Sequence, residues 1–183
     1  SSSSSSSSFF FFFFFFFSLS QQQLYMEGDT RLEDLFFRQA HAPAAAAVHA
    51  AGRTLTRAAL AAAARAAAAA LAALPLRSGP LAVCCEGTLG QPVAVLAALL
   101  GRRPFVPVTH AAAPVLDVLD VAAVLVAEPG GTGVPLLDPS GPVQLYCRMR
   151  PAGSPAFDLG DVAPLAYALS TSATTGPPKV SPI

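Results

Sequence analysis

The 183-residue sequence contains no tryptophan, only three cysteines and three histidines, and just 12% charged side chains. Cys84 and Cys85 are adjacent and Cys147 is distant, so no disulfide framework follows. Neighbouring cysteines rarely bridge, and any pairing with Cys147 leaves one thiol over. A reducing, cytoplasmic setting fits that usage. His41, His49 and His110 stand singly, and no His or Cys spacing suits zinc, so these residues are expected to fill core or surface positions. Charge of one sign is also missing: 11 basic residues balance 11 acidic ones, and only Arg102 and Arg103 are adjacent. That balance excludes the basic footprint of a nucleic-acid-binding surface.

A membrane-spanning run is lacking too. The longest unbroken apolar run at the start is Phe9–Phe17, which follows eight serines. As a helix it reaches about 14 Å, against a hydrocarbon core of about 30 Å. It has no preceding basic residues, as a signal peptide requires. Residues 1–25, a Ser/Phe/Gln low-complexity segment, are therefore expected to lie outside the fold, as a translated pyrimidine-rich repeat ahead of a start at Met26. If present, the exposed phenylalanines are an aggregation hazard. The alanine-rich stretch from Thr56 to Leu74 is long enough to raise the membrane question again, yet it contains Arg57 and Arg65. Each arginine would cost about 2.5–3.5 kcal/mol near the bilayer centre, and alanine returns little. A domain helix is the expectation, and no membrane partner is inferred.

From Met26 onward the pattern is that of one α/β domain, 26–183. "EDLFFRQAHAP" suits a short helix stopped by Pro43, and "AVHAAGRTLT" reads as two short strands about an Ala51–Gly52 turn. Thr56 can cap a helix that places Leu60, Ala64, Ala67, Leu71 and Leu74 on one face, with Arg65 pointing away. "GPLAVCCEG" has the length of a buried strand, and "GQPVAVLAALLG" reads as a helix that Gly101 can end. "RPFVPVT" follows as a strand, "APVLDVLD" as a short helix, "VAAVLVAE" as a buried strand and "LAYALSTS" as the last strand. Strands alternating with helices, without polar alternation, predict a parallel sheet flanked by helices on both faces. Residues 129–164 are rich in Gly and Pro and read as loop with one or two short strands. Gly130, Gly131 and Gly133 there are read as turn residues, because no helix follows them as a dinucleotide fingerprint requires.

The densest cluster of hydroxyls comes near the end, in "LAYALSTSATTGPPKV" (165–180). Ser170, Thr171, Ser172, Thr174 and Thr175 can donate to phosphate oxygens, Gly176 permits close backbone approach, and Lys179 supplies a compact positive charge. On residue chemistry alone, a Ser/Thr-rich surface turn with a solvated lysine stands equal to this anion cradle. The spacing is not that of the GxxxxGK[ST] loop, since two prolines separate Gly176 from Lys179 and no hydroxyl follows the lysine.

The stretch resembles the phosphate-binding motif of the adenylate-forming (AMP-binding) enzymes, [YF]TSGTTGxPKG. "GRTLTRAAL" resembles that family's LTYxEL helix entry, and "LAALLGRRPFVPV" its LAxLKAGaAYVPID segment, in the same order across most of 33–180. The combination of Val180 with "LAVCCEGTLGQPVAVLAALLGRRPFVPV" looks most like the beta-alanine-activating branch, related to nonribosomal peptide adenylation domains. The resemblance implies part of an N-terminal subdomain in which Thr171, Ser172, Thr174, Thr175, Gly176 and Lys179 hold the β- and γ-phosphates of ATP, with Mg²⁺ accompanying the nucleotide. It implies activation of a carboxylate or amino acid as its acyl-adenylate, then transfer to a thiol such as pantetheine. Ala173 departs from the family's glycine, and a positive φ there would cost about 1 kcal/mol or more.

The same resemblance places the adenine pocket, the Mg²⁺-binding acid and the catalytic lysine after Ile183. The expectation is therefore an N-terminal ligase fragment, truncated and inactive by itself, with no catalytic residue assigned. Its sheet is expected to expose apolar faces and a strand edge. The alternative is a short non-catalytic isoform that uses such a surface as an interaction module.

Overall fold

The computed structural model describes residues 36–37, 44–109, 111, 115–127, 132–152, 168–170 and 180–182. The Ser/Phe/Gln segment and the expected helix over 33–43 lie outside them, apart from Phe36 and Phe37. The first elements are strands β1 (Ala46–Ala50) and β2 (Arg53–Thr56), paired antiparallel. Ala51 (φ 49°) and Gly52 (φ 72°) both take left-handed backbone, as the tightest hairpin turns require. Across that hairpin, His49 Nδ1 and Thr54 Oγ1 are 2.8 Å apart in a hydrogen bond.

Helix α1 (Arg57–Ala73) starts where the sequence places it: the Ala59 amide donates to the Thr56 hydroxyl at 3.1 Å, satisfying one otherwise unpaired helix donor. Leu60, Ala64, Ala67 and Leu71 are buried on one face. Arg65 does point outward, and its guanidinium sits 4.4 Å over the Phe37 ring. This cation–π contact employs a charge that the sequence reading left in solvent.

The main sheet contains β3 (Leu81–Cys84), β4 (Phe105–Pro107), β5 (Ala123–Val126), β6 (Val134–Pro135) and β7 (Tyr146–Met149) in the order β4-β3-β5-β7-β6. β3 pairs parallel with both β4 and β5, as the strand–helix alternation predicts. β7 and β6 add an antiparallel pair beside β5, which makes the sheet mixed. Both come from the Gly/Pro-rich stretch. At Gly133 (φ 122°), a Cβ would lie 2.6 Å from the Cys147 carbonyl oxygen, so the glycine lets β6 close onto β7.

Helix α2 (Gly90–Leu100) connects β3 to β4, and all but two of its residues are buried. It lies in one core with α1 and with Leu81, Val83, Phe105, Ala123, Leu125 and Cys147 of the sheet. A helix apolar all round must be covered all round, and α1 supplies the second cover. Alanine suits that contact because it lets the two helices approach closely. Gly101 ends α2 without left-handed backbone; Arg102 takes that conformation (φ 52°) instead. The Arg103 amide donates to Ala98 O and the Arg102 amide to Leu99 O, the paired bonds of a Schellman motif.

The other sheet face carries Ala82, Val106, Val124, Val126 and Tyr146, covered by the single-turn α3 (Val115–Val118) with Leu119 and Val121. Among the described residues, the exposed large hydrophobic side chains are Val134 and Met149. The expected open apolar faces are thus absent there, because α3 and its flanking residues close the second face. No helix among the described residues is long and apolar enough to cross a membrane.

Candidate functional site

Ligands of open parallel sheets bind beyond the carboxyl ends of the strands. At the end of β3 the chain turns through Cys85 to Leu89 into α2. The Thr88 hydroxyl donates to Cys85 O at 2.6 Å, and the Gly87 amide (φ 71°) donates to the buried Gln91 Oε1 at 3.4 Å. Gly90 opens α2 against the end of β5, where a Cβ would meet the Ala127 Cβ at 2.5 Å. The turn's polar groups are therefore largely spent on itself.

A second arrangement lies apart from that turn. Strands β8 (Ala168–Ser170) and β9 (Val180–Pro182) pair antiparallel, with Ser170 opposite Val180. β8 lies against β4, with Cα atoms within 8 Å. Residues 171–179, "TSATTGPPK", join the two paired strands, so their ends are held side by side. The six residues expected to hold phosphate, Thr171, Ser172, Thr174, Thr175, Gly176 and Lys179, all fall in this connection, outside the described residues. What the structure brings together is its two ends.

Neither a protein-family model nor a curated protein sequence matches the chain. Solved structures do. The nonribosomal peptide synthetase FmoA3, in an α-methyl-L-serine-AMP bound form, matches at 26% identity and TM-score 0.57, over 84% of this chain and 18% of that one. The Klebsiella oxytoca NpsA N-terminal subdomain matches at 23% identity and TM-score 0.56, over 82% of this chain and 41% of that one. Mycobacterium smegmatis MbtA matches at 22% identity and TM-score 0.59, over 85% of this chain and 34% of its own. The chain carries the N-terminal part of an adenylate-forming fold. It spans less than half the length of each of these structures. FmoA3 is also similar to this chain in an AMPPNP-bound form, and the NpsA subdomain in complex with 3-hydroxybenzoyl-AMSN.

Within this fold none of the three cysteines forms a disulfide; Cys84 is half-buried, and Cys85 and Cys147 are buried. The Cys85 thiol faces Leu125 O at 3.4 Å. Burial pushes the Cys147 thiol up to about 11, with the Arg103 guanidinium pulling slightly the other way. The Cys147 thiol is therefore not poised as a thiolate nucleophile by its surroundings. Among the described residues, no group of three or more His, Cys, Asp or Glu could hold a metal ion. His49 belongs to the β1–β2 hairpin, and His41 and His110 lie outside the described residues.

Sequence reasoning missed the brace at the opposite, amino-terminal end of the sheet. Arg77 donates to both Asp120 carboxylate oxygens, at 2.8 and 2.7 Å, and to Val121 O at 2.7 Å. Arg103 donates to Arg77 O at 2.8 Å and approaches Leu76 O and Gly79 O at 3.3 and 3.4 Å. Together they tie the entries of β3, β4 and β5. No local signal announces a pair 43 residues apart; the only hint is that each arginine or aspartate lies just ahead of a strand.

Proposed function

We propose that this chain supplies the ATP-phosphate-binding part of an ATP-dependent ligase that activates a carboxylate or amino acid as its acyl-adenylate. Thr171, Ser172, Thr174 and Thr175 donate hydroxyls, Gly176 allows the backbone to approach, and Lys179 offsets charge on the β- and γ-phosphates. The observation that carries this reading is the β8–β9 hairpin. It holds the two ends of a "TSATTGPPK" connection side by side, next to a fold shared with adenylate-forming enzymes.

Mg²⁺ would accompany the nucleotide. The acceptor is a thiol of the pantetheine kind, and the setting is the reducing cytoplasm. Residues 26–183 act as the folded unit. By themselves, residues 1–183 bind nucleotide phosphate without completing adenylation.

The test is calorimetric titration of residues 1–183 with Mg·ATP, beside Lys179→Ala and Thr175→Ala. Hydrogen bonds to charged groups contribute about 1.5–3 kcal/mol, so Lys179→Ala is expected to weaken binding about 10-fold or more. Equal affinity in all three proteins refutes the phosphate assignment. Carboxylate-dependent ATP–pyrophosphate exchange by residues 1–183 would overturn the claim that this part does not adenylate alone.

A further inference from the structure

The main sheet ends at β6, and no described strand pairs with the far side of it. The hydrogen bonds fix which backbone groups point there. In an antiparallel pair, residues that exchange hydrogen bonds alternate with residues that do not. Arg150 N donates to Ala122 O, so residues 146, 148 and 150 face β5, while residues 145 and 147 face β6. Leu136 N donates to Leu145 O, which agrees: Val134 and Leu136 face β7, and Pro135, in register with Tyr146, faces away. Proline has no N–H, and its ring fills the space through which a donor would reach the next strand. At its outward-facing position β6 therefore offers an acceptor and no donor.

The same margin carries apolar surface. Val134 (37% exposed) and Met149 (49% exposed) are the exposed large hydrophobic side chains among the described residues. Val134 lies opposite Cys147, and Met149 lies two residues beyond Cys147 on β7, so all three project from one face of the sheet. A backbone edge beside exposed apolar side chains is the arrangement through which sheets of separate molecules join.

We propose that Pro135 guards this margin against pairing with a second copy of the chain. A second copy is the partner that fits, because two β6 strands related by a two-fold axis run antiparallel with position 135 opposite itself. Both hydrogen bonds of that central pair would come from position 135, one N–H from each copy, and proline removes both at once. The next outward-facing residues do not restore the ladder. β6 is only two residues long, and Gly133, with φ 122°, has already left strand geometry.

The experiment is sedimentation velocity and amide hydrogen exchange by NMR, at low and high protein concentration, on residues 1–183, Pro135→Val and Pro135→Thr. Valine and threonine both restore the N–H and suit strands, and the bonds from β6 to β7 are made by residues 134 and 136, so circular dichroism is expected to be unchanged. Each variant is expected to self-associate about 10-fold more tightly than the parent, the effect of two added hydrogen bonds. Its new amide at 135 is expected to be protected at high concentration and not at low. In the parent, the Leu137 amide is expected to exchange at one rate at both concentrations. Association through another part of the chain would speed sedimentation in all three proteins alike and leave position 135 unprotected. An amide at 135 that exchanges equally at both concentrations in the two variants overturns the guard, as does concentration-dependent protection of Leu137 in the parent. If only the valine variant loses its circular dichroism, the threonine variant decides. Loss in both would show that Pro135 serves to hold β6 on β7 instead, and that too overturns the proposal.

Discussion

Arg77 and Asp120 are the clearest place to test whether the sheet is held as described. Their side chains are 25% and 19% exposed, and their two hydrogen bonds are 2.8 and 2.7 Å long. Exposed ion pairs contribute about 0.2–1 kcal/mol, whereas removing one partner of a buried pair costs about 3–5 kcal/mol. This pair lies between those limits, and Arg77 also bonds Val121 O. Arg77→Met is therefore expected to cost about 3 kcal/mol and Asp120→Asn about 2 kcal/mol, as a charge-assisted bond is lost in each. Asn is the right partner for the cycle because Asp120 has a φ of 47°, a conformation that Asn also tolerates. The double variant should cost about 2 kcal/mol less than the sum, the coupling expected of residues in one network. Urea unfolding followed by circular dichroism measures all four proteins, since there is no tryptophan to follow. Additivity within about 0.5 kcal/mol would mean that the pair contributes no coupling, and the brace would have to be discarded.

Two further outcomes follow from the backbone and the buried thiol. Arg102→Gly should raise stability by about 1 kcal/mol, because the residue sits left-handed at the end of α2 where glycine is free of the Cβ clash; a lower unfolding midpoint in urea contradicts that account. For Cys147, burial raises the folded-state thiol from 9.0 to about 11, so the unfolded chain loses its proton first as pH rises. Stability is then full below about pH 9 and declines towards pH 11, by up to about 3 kcal/mol for the two-unit shift. Denaturation midpoints of the parent and of Cys147→Ala across that range check this, and identical slopes would refute it.

Much of this fold was readable in the sequence, for local reasons. The Thr56 cap, the three-to-four-residue rhythm of Leu60, Ala64, Ala67 and Leu71, and the Ala51–Gly52 turn each depend on neighbours a few residues away. The buried strands β3 and β5 announce themselves as unbroken apolar runs. What escaped was set by distant partners: Arg77 reaches Asp120 across 43 residues, and the short strands expected within 129–164 gave no sign that one of them would pair antiparallel with β5. The left-handed Arg102 escaped because glycine sits one position earlier and drew the reading to itself. As for the candidate site, its residue types were legible from the hydroxyl cluster. That two strands pair on either side of it was not, because the expected strand before the connection had no expected mate after it.

The almost complete burial of α2 bears on how the chain emerges from the ribosome. Synthesis runs from the amino terminus, so α1 leaves the exit tunnel before α2 does. The cover for the stickiest helix is already outside when that helix appears. An internal start codon or a proteolytic cut between 57 and 73 would reverse the situation and release α2 with no shield. Such a product would be a client for chaperones rather than a smaller version of the same protein.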